Sequence, residues 1–240
     1  MVRDCTGGVK PESPEARALL ARLRAFCFAG SEDSARTVRA VRLIERGEFR
    51  AAPNARWSGF TAEQEIDAAR SRFRWDARFH GGSARFFSVT DAYEDARGQI
   101  AIRAGGILPV KKITGPAFDR GELQRYLASV ALCPAMVLNH PALEWSAAGP
   151  LTLQVRDAGA PSGAEVEATI GEDGSPLECR ANRPRALGRA TVLTPWLVRA
   201  RDFRACDGFR VPGHTEAWWQ LPEGPFQYYS SEIASFVALR

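Results

Sequence analysis

The chain has 240 residues, 45% hydrophobic and 25% charged, with a net charge of +4 from 32 basic and 28 acidic side chains. That balance supports a sizeable buried core and excludes wholesale disorder, and no run approaches the ~20 apolar residues of a membrane-spanning helix. Only Lys10, Lys111 and Lys112 are lysines and acidic residues are interspersed among the many arginines, so no nucleic-acid partner is expected.

Residues 1–17 lack the apolar run of a secretory leader, which leads to the expectation of a cytoplasmic protein. Five cysteines (Cys5, Cys27, Cys133, Cys179, Cys206) are odd in number and widely spaced. They form no C-x-x-C pair, so reduced thiols are expected rather than a disulfide framework or structural zinc.

In chain order, Ser13-Pro14 reads as an N-cap followed by proline in the first helical turn. Leu19, Leu20, Leu23, Phe26 and Cys27 then form an apolar stripe, and Gly30 closes the helix. A second helix is expected from Asp33 to Arg46, with Val38, Val41 and Ile44 inward and Arg36, Arg39, Arg42 and Arg46 as a basic ridge facing solvent, a phosphate or a membrane surface. Thr61-Ala62-Glu63-Gln64 fits a capping box and predicts a short helix ending near Arg72.

The period then changes to two. Phe73, Trp75, Ala77 and Phe79 alternate with Arg74, Asp76, Arg78 and His80, as in a half-buried strand. Strands are expected at 85–93 and 99–103, followed by Gly105, Gly106 and Pro109 as an interruption. A helix over 119–133 is capped by Asp119 with Glu122 and ends at Pro134. Beyond it, short strands at 142–146, 151–157, 164–170, 177–182, 197–203, 209–211, 215–221 and 226–229 are separated by turn signals, which favours an antiparallel meander. Residues 183–195, with two prolines and no clear period, read as a loop.

Gly47-Glu48-Phe49-Arg50, Trp57-x-x-Phe60-Thr61-Ala62-Glu63-Gln64, Phe73-x-Trp75-Asp76-Ala77, Asp91-Ala92-Tyr93, Gly121-Glu122-Leu123-x-Arg125-Tyr126-Leu127 and Glu216-x-Trp218 before Leu221-Pro222 together resemble a bacterial family of domains of unknown function. The resemblance runs from about Arg46 to Tyr229 and brings a fold but no activity. It implies a shape similar to bacterial lipoprotein-carrier folds, which wrap a curved sheet around a helix. The expected class is therefore α+β and mostly β: a curved antiparallel sheet or half-barrel with N-terminal helices and one central helix. One domain is expected over 1–240, with 1–72 mainly helical and 73–240 forming the sheet.

Phe87-x-Val89-x-Asp91-x-Tyr93 places a carboxylate and a phenol on one strand face with two apolar residues. Turned inward, Asp91 and Tyr93 form a candidate acid–base pair, because burial raises a carboxyl pKa. Asp91 capping the turn near Glu94, or pairing with Arg97, is the structural alternative. Glu216 is the third catalytic candidate, on a strand where Trp218 and Trp219 point to opposite faces. Trp57, Phe60, Phe87, Val89, Trp145, Trp218 and Tyr228 are the candidate ligand-binding residues, as flat and apolar groups suit an apolar pocket. His80, His140 and His214 have no metal-pair spacing, and no phosphate-binding glycine loop occurs, so neither metal nor cofactor is expected.

Three functions compete. One is a binder of a hydrophobic or aromatic small molecule; another is a cofactor-free cyclase or isomerase of a natural-product pathway. The third is a protein-interaction module using the basic helix. An apolar cavity larger than about 300 Å³ with Asp91 or Glu216 inside it would favour the first two.

Overall fold

A computed structural model describes residues 13–81, 85–187 and 190–240. Helix α1 (Pro14–Cys27) starts as expected, with the Ser13 hydroxyl accepting from the Ala16 amide at 3.2 Å and its apolar stripe buried. The second helix differs from expectation: α2 covers only Glu32–Arg36, and β1 (Ala40–Phe49) follows at once. The apolar residues of this segment suit both periods, and the strand is selected because Val41, Leu43 and Glu45 point inward together. Arg42 projects outward onto Glu63 and Glu65 of the next strand, at 3.3 and 3.0 Å. There is no helical basic ridge.

The capping-box reading also fails. Residues Ser58–Asp67 form β2, in which Phe60, Ala62, Gln64 and Ile66 alternate inward against Thr61, Glu63 and Glu65. Thr61-x-x-Gln64 spans a helical first turn or one and a half strand repeats equally well, and pairing with β1 along its whole length decides. The mainly helical lead-in over 1–72 is thereby corrected, since two of the central strands lie within it.

The meander continues through β3 (Phe73–His80), β4 (Phe87–Glu94), β5 (Arg97–Ala104) and β6 (Leu108–Thr114). Pro109 does not end the sheet, because β6 is an edge strand on which a missing N–H is tolerated. Helix α3 (Pro116–Leu127) and a 3₁₀ turn (Ala128–Ala131) come next, then α4 (Met136–Asn139). The cap of α3 is Gly115 rather than Asp119 and Glu122. Asp119 accepts from the Gly98 amide at 2.8 Å, tying the helix to β5, and Glu122 turns into the interior.

The second half contributes β7 (Leu143–Gly149), β8 (Thr152–Asp157), β9 (Glu165–Ile170), β10 (Pro176–Leu187) and β11 (Ala190–Arg201). A short hairpin of β12 (Arg204–Cys206) and β13 (Phe209–Val211) leads to β14 (His214–Leu221) and β15 (Gly224–Leu239). The segment expected as a loop is instead the extension of the β10–β11 hairpin. Its prolines fit because Pro184 lies beyond the residues of β10 paired to β9, and Pro195 beyond those of β11 paired to β14. Each proline nitrogen is on a side with no partner strand.

Thirteen strands form one open antiparallel sheet in the order β6-β5-β4-β3-β2-β1-β15-β14-β11-β10-β9-β8-β7. The last strand is thus the seam between two meanders. The sheet curves around α3, which contacts β4, β5 and β6 on one wing and β8, β9 and β10 on the other. Helix α1 packs against β7 and β8, and the core runs continuously from it to the concave face. The expected mostly β curved sheet is therefore observed. Among the described residues, no helix is long and apolar enough to cross a membrane.

Candidate functional site

Between α3 and the two wings lies a cavity of about 510 Å³. Its walls come from alternate residues of nearly every long strand: Phe49, Trp75, Phe79, Val89, Ile100 and Ile102 on one wing, Trp196, Val198, Ala217 and Trp219 on the other. A register shift between Ala217 and Trp218 opposite β15 turns both Tyr228 and Tyr229 onto this face, the usual effect of a bulge beside a site. Gly47 lets the β15 backbone and the Phe60 ring come close here. A Cβ there would lie 2.2 Å from the Ser230 carbonyl oxygen and 2.8 Å from the Phe60 ring. Phe60 stacks on Tyr229 with ring centroids 5.4 Å apart.

The polar end of the cavity is built by α3 and β10. Arg125 donates to Asp91 Oδ2 and lies over the Phe73 and Trp75 rings, 4.8 and 5.2 Å from their centroids. Arg183 donates from Nη2 to Glu122 Oε1 at 2.7 Å and from Nε to the Gly121 carbonyl at 3.0 Å, and lies 4.8 Å over the Trp196 ring. Deeper in, the Tyr229 hydroxyl donates to Glu45 Oε2, with the Ser231 hydroxyl also bound to it at 3.3 Å. Asp91 Oδ1, Glu122 Oε2 and Glu45 Oε1 are buried without a protein hydrogen-bond partner.

Burial pushes the Glu122 carboxyl up to about 8, with the nearby Asp91 charge adding to the rise and the two arginines opposing it. Burial likewise raises Glu45, partly offset by the tyrosine hydrogen bond. The phenols of Tyr228 and Tyr229 are also raised by burial. These are the conditions under which a carboxylic acid keeps its proton near neutrality.

The residues singled out from sequence separate into distinct groups. Asp91 and Val89 line the cavity, and Asp91 pairs with Arg125 rather than with Arg97 or a turn. Tyr228 lines it too, its hydroxyl accepting from Trp196 Nε1 at 2.9 Å. Phe60 supports the wall from beneath Tyr229. Tyr93 is on the Asp91 face but buried in the core, its phenol pushed up to about 12 chiefly by burial. Glu216 is also among the residues lining the cavity, but its carboxylate is bound to Arg201 at 3.1 Å, with His214 at 3.4 Å, and not to the Asp91–Arg125 pair. Trp145 is buried in the core, Trp218 is on the strand face opposite Trp219, and Phe87 is exposed near the sheet end. Phe86, just before β4, is 55% exposed. Trp57 sits outside under Arg50, whose guanidinium is 4.6 Å from its ring centroid.

Sequence reasoning missed Arg125, Arg183, Glu122 and Glu45. Arg125 and Glu122 lie three residues apart on α3, a spacing that puts them on one helix face. Glu45 was hidden by the helical reading of β1. The structure also brings together a serine, a histidine and an aspartate that chain order did not suggest. Ser71 Oγ donates to Asp157 at 2.5 Å and is 3.2 Å from His140 Nε2. His140 Nδ1 accepts from the Ala142 amide at 3.2 Å, so no carboxylate orients the imidazole as nucleophile activation requires. This cluster ties loops together. No group of three or more His, Cys, Asp or Glu among the described residues is placed to hold a metal ion.

The fold is similar to solved structures of low sequence identity. A DUF1329 family protein from Desulfovibrio piger has TM-score 0.54 and 7% identity over 94% of each chain. A LolA superfamily protein from Nitrosomonas europaea has TM-score 0.50 and 10% identity, covering 94% of this chain and 93% of that one. A domain from Vibrio parahaemolyticus described as an outer membrane lipoprotein-sorting protein has TM-score 0.50 and 7% identity, covering 93% and 90%. At these identities the likeness is one of fold, and it is the carrier-like shape that the sequence motifs implied. No curated protein matches the sequence. The model of the DUF6544 family, a family of unknown function, matches residues 24–231, and the chain belongs to that family.

Proposed function

We propose that the chain binds an amphipathic, mainly apolar small molecule in the cavity, with its polar group beside Arg125 and Arg183. One observation carries this reading: an aromatic and aliphatic enclosure of about 510 Å³ ends in two guanidiniums that keep unspent donors. Arg183 commits Nε and Nη2 to Gly121 and Glu122, and Arg125 commits Nη1 to Asp91; their other N–H groups have no hydrogen bond among the described residues. Burial favours the neutral forms of Glu45 and Glu122. Beside α3 the two guanidiniums face Asp91 and Glu122, whose carboxyl burial pushes up to about 8, while Glu178 and Glu216 of the lining are held by Arg180, Arg199 and Arg201. This balance suits a monoanionic head such as a long-chain carboxylate. The carrier-like fold of the neighbours supports an apolar ligand.

The test is native mass spectrometry and dye displacement with hexadecanoate and hexadecanol. The acid should bind more tightly, and Arg183→Gln should weaken it about tenfold while leaving the alcohol unchanged, as expected for one charged hydrogen bond. Equal binding of acid and alcohol by both proteins would refute the placement of the head group.

A second reading rests on the raised carboxyl of Glu122 beside Asp91. A cofactor-free isomerase or cyclase would use Glu122 to deliver a proton to the substrate and Asp91 to accept one, with no net change in protonation. Tyr93 is buried in the core and the Glu216 carboxylate is held by Arg201, so neither is given a role in this reading. Glu122→Gln that binds ligand but loses turnover would favour the enzyme; retained turnover would exclude it.

A further inference from the structure

The strand registers put six hairpin connections at one end of the sheet: β1–β2, β3–β4, β5–β6, β10–β11 and β14–β15, and, away from the cavity lining, β8–β9. The cavity reaches the same end, where Arg50, Val89, Ile102, Arg185, Thr191 and Phe226 line it. Of the exposed large apolar side chains among the described residues, all but Leu177 and Val237 fall on these connections or the adjoining strand ends. Ile107 is 82% exposed, Leu108 69%, Val110 56% and Leu193 56%.

Charge follows the same distribution. The described residues among 49–58, 80–87, 102–111, 185–193 and 220–226 hold Arg50, Arg56, Arg85, Arg103, Lys111 and Arg185, and their only acidic residue is Glu223. Basic and aromatic groups are interleaved: Arg85 lies 4.7 Å over the Phe86 ring, and Arg50 lies over Trp57 and Phe226.

We infer that this rim is a docking edge for an anionic lipid surface, with the apolar turn tips entering the interface and the basic side chains meeting the head groups. Apolar groups on separate turns around an opening suit a deformable layer better than a flat protein face. Basic side chains interleaved with apolar ones are the composition that binds membrane interfaces, where each contributes to attraction by anionic lipid. The cavity mouth would then open onto the lipid from which an amphipathic ligand is taken. The inference stands on the rim alone and does not depend on what the cavity holds.

Co-sedimentation of the full chain with phosphatidylcholine vesicles, with and without phosphatidylglycerol, tests it. Pelleting is expected with the anionic vesicles and should fall as salt is added. The double substitution Ile107→Asp and Leu108→Asp should reduce it tenfold or more, about the effect of losing one to two buried aliphatic side chains. Both sites are exposed, so the variant should keep the wild-type melting temperature and its binding of anilinonaphthalene sulfonate in solution. No pelleting by the wild type, or equal pelleting by the variant, overturns the inference even if dye binding is intact. So does a solution dimer that the same substitutions abolish, which would make the rim an interface between copies. Loss of dye binding by the wild type would count against the cavity reading and leave the rim untouched.

Discussion

At the scale of single residues, Glu122 gives a pH signature. Its carboxyl sits near 8 in the folded protein against an ordinary 4.5, because burial and Asp91 disfavour the charge. Between those values the folded chain holds a proton that the unfolded chain has released. This contribution to stability is therefore complete at low pH and is lost as pH rises towards 8. Glu45, raised in the same direction, adds a slope of the same sign. Thermal melts should show the midpoint falling across that window, and Glu122→Gln should flatten the fall; an unchanged slope would mean that Glu122 does not carry it. Asp91 was visible in the sequence because period two put it with apolar neighbours on one strand. Its partner was not, since Arg125 is 34 positions away on a helix whose docking no local pattern encodes.

At the scale of elements, the helix–sheet contact at β5 is a close constraint on the cavity floor. A Cβ at Gly98 would lie 2.5 Å from the Phe118 carbonyl oxygen. Gly98→Ala should therefore push α3 from the sheet and destabilise the fold by ~1–3 kcal/mol, the range for overpacking, as read by urea unfolding. Ser13→Ala should cost ~1 kcal/mol through the lost cap of α1 and leave ligand binding intact. Helix α1 was legible because cap, proline and stripe all agreed. The segments that became β1 and β2 were not, because their apolar residues satisfied helical spacing as well. Arg42 looked like part of a helical ridge and is instead a cross-strand partner of Glu63 and Glu65. Where local spacing fits two periods, long-range pairing decides.

Across the whole molecule, the curved sheet and its mostly antiparallel order were readable from turn signals and from the family motifs. The strand order was not. No turn joins β15 to β1, yet Ala40 faces Leu239 across that pair. Cutting the chain after Glu223 should leave two unsealed meanders with exposed edges, and the truncated protein should fail to melt cooperatively in calorimetry; a single sharp transition would contradict this. Such long-range pairing also predicts slow refolding, in the range of seconds or longer rather than milliseconds.

That seam also has a consequence for biosynthesis. Every other strand leaves the ribosome before β15, so the two wings wait side by side, each with an open edge, until their shared neighbour is made. The cavity draws its walls from both wings. The cavity therefore takes shape only once β15 is paired, and a cargo held between the wings is acquired after that step.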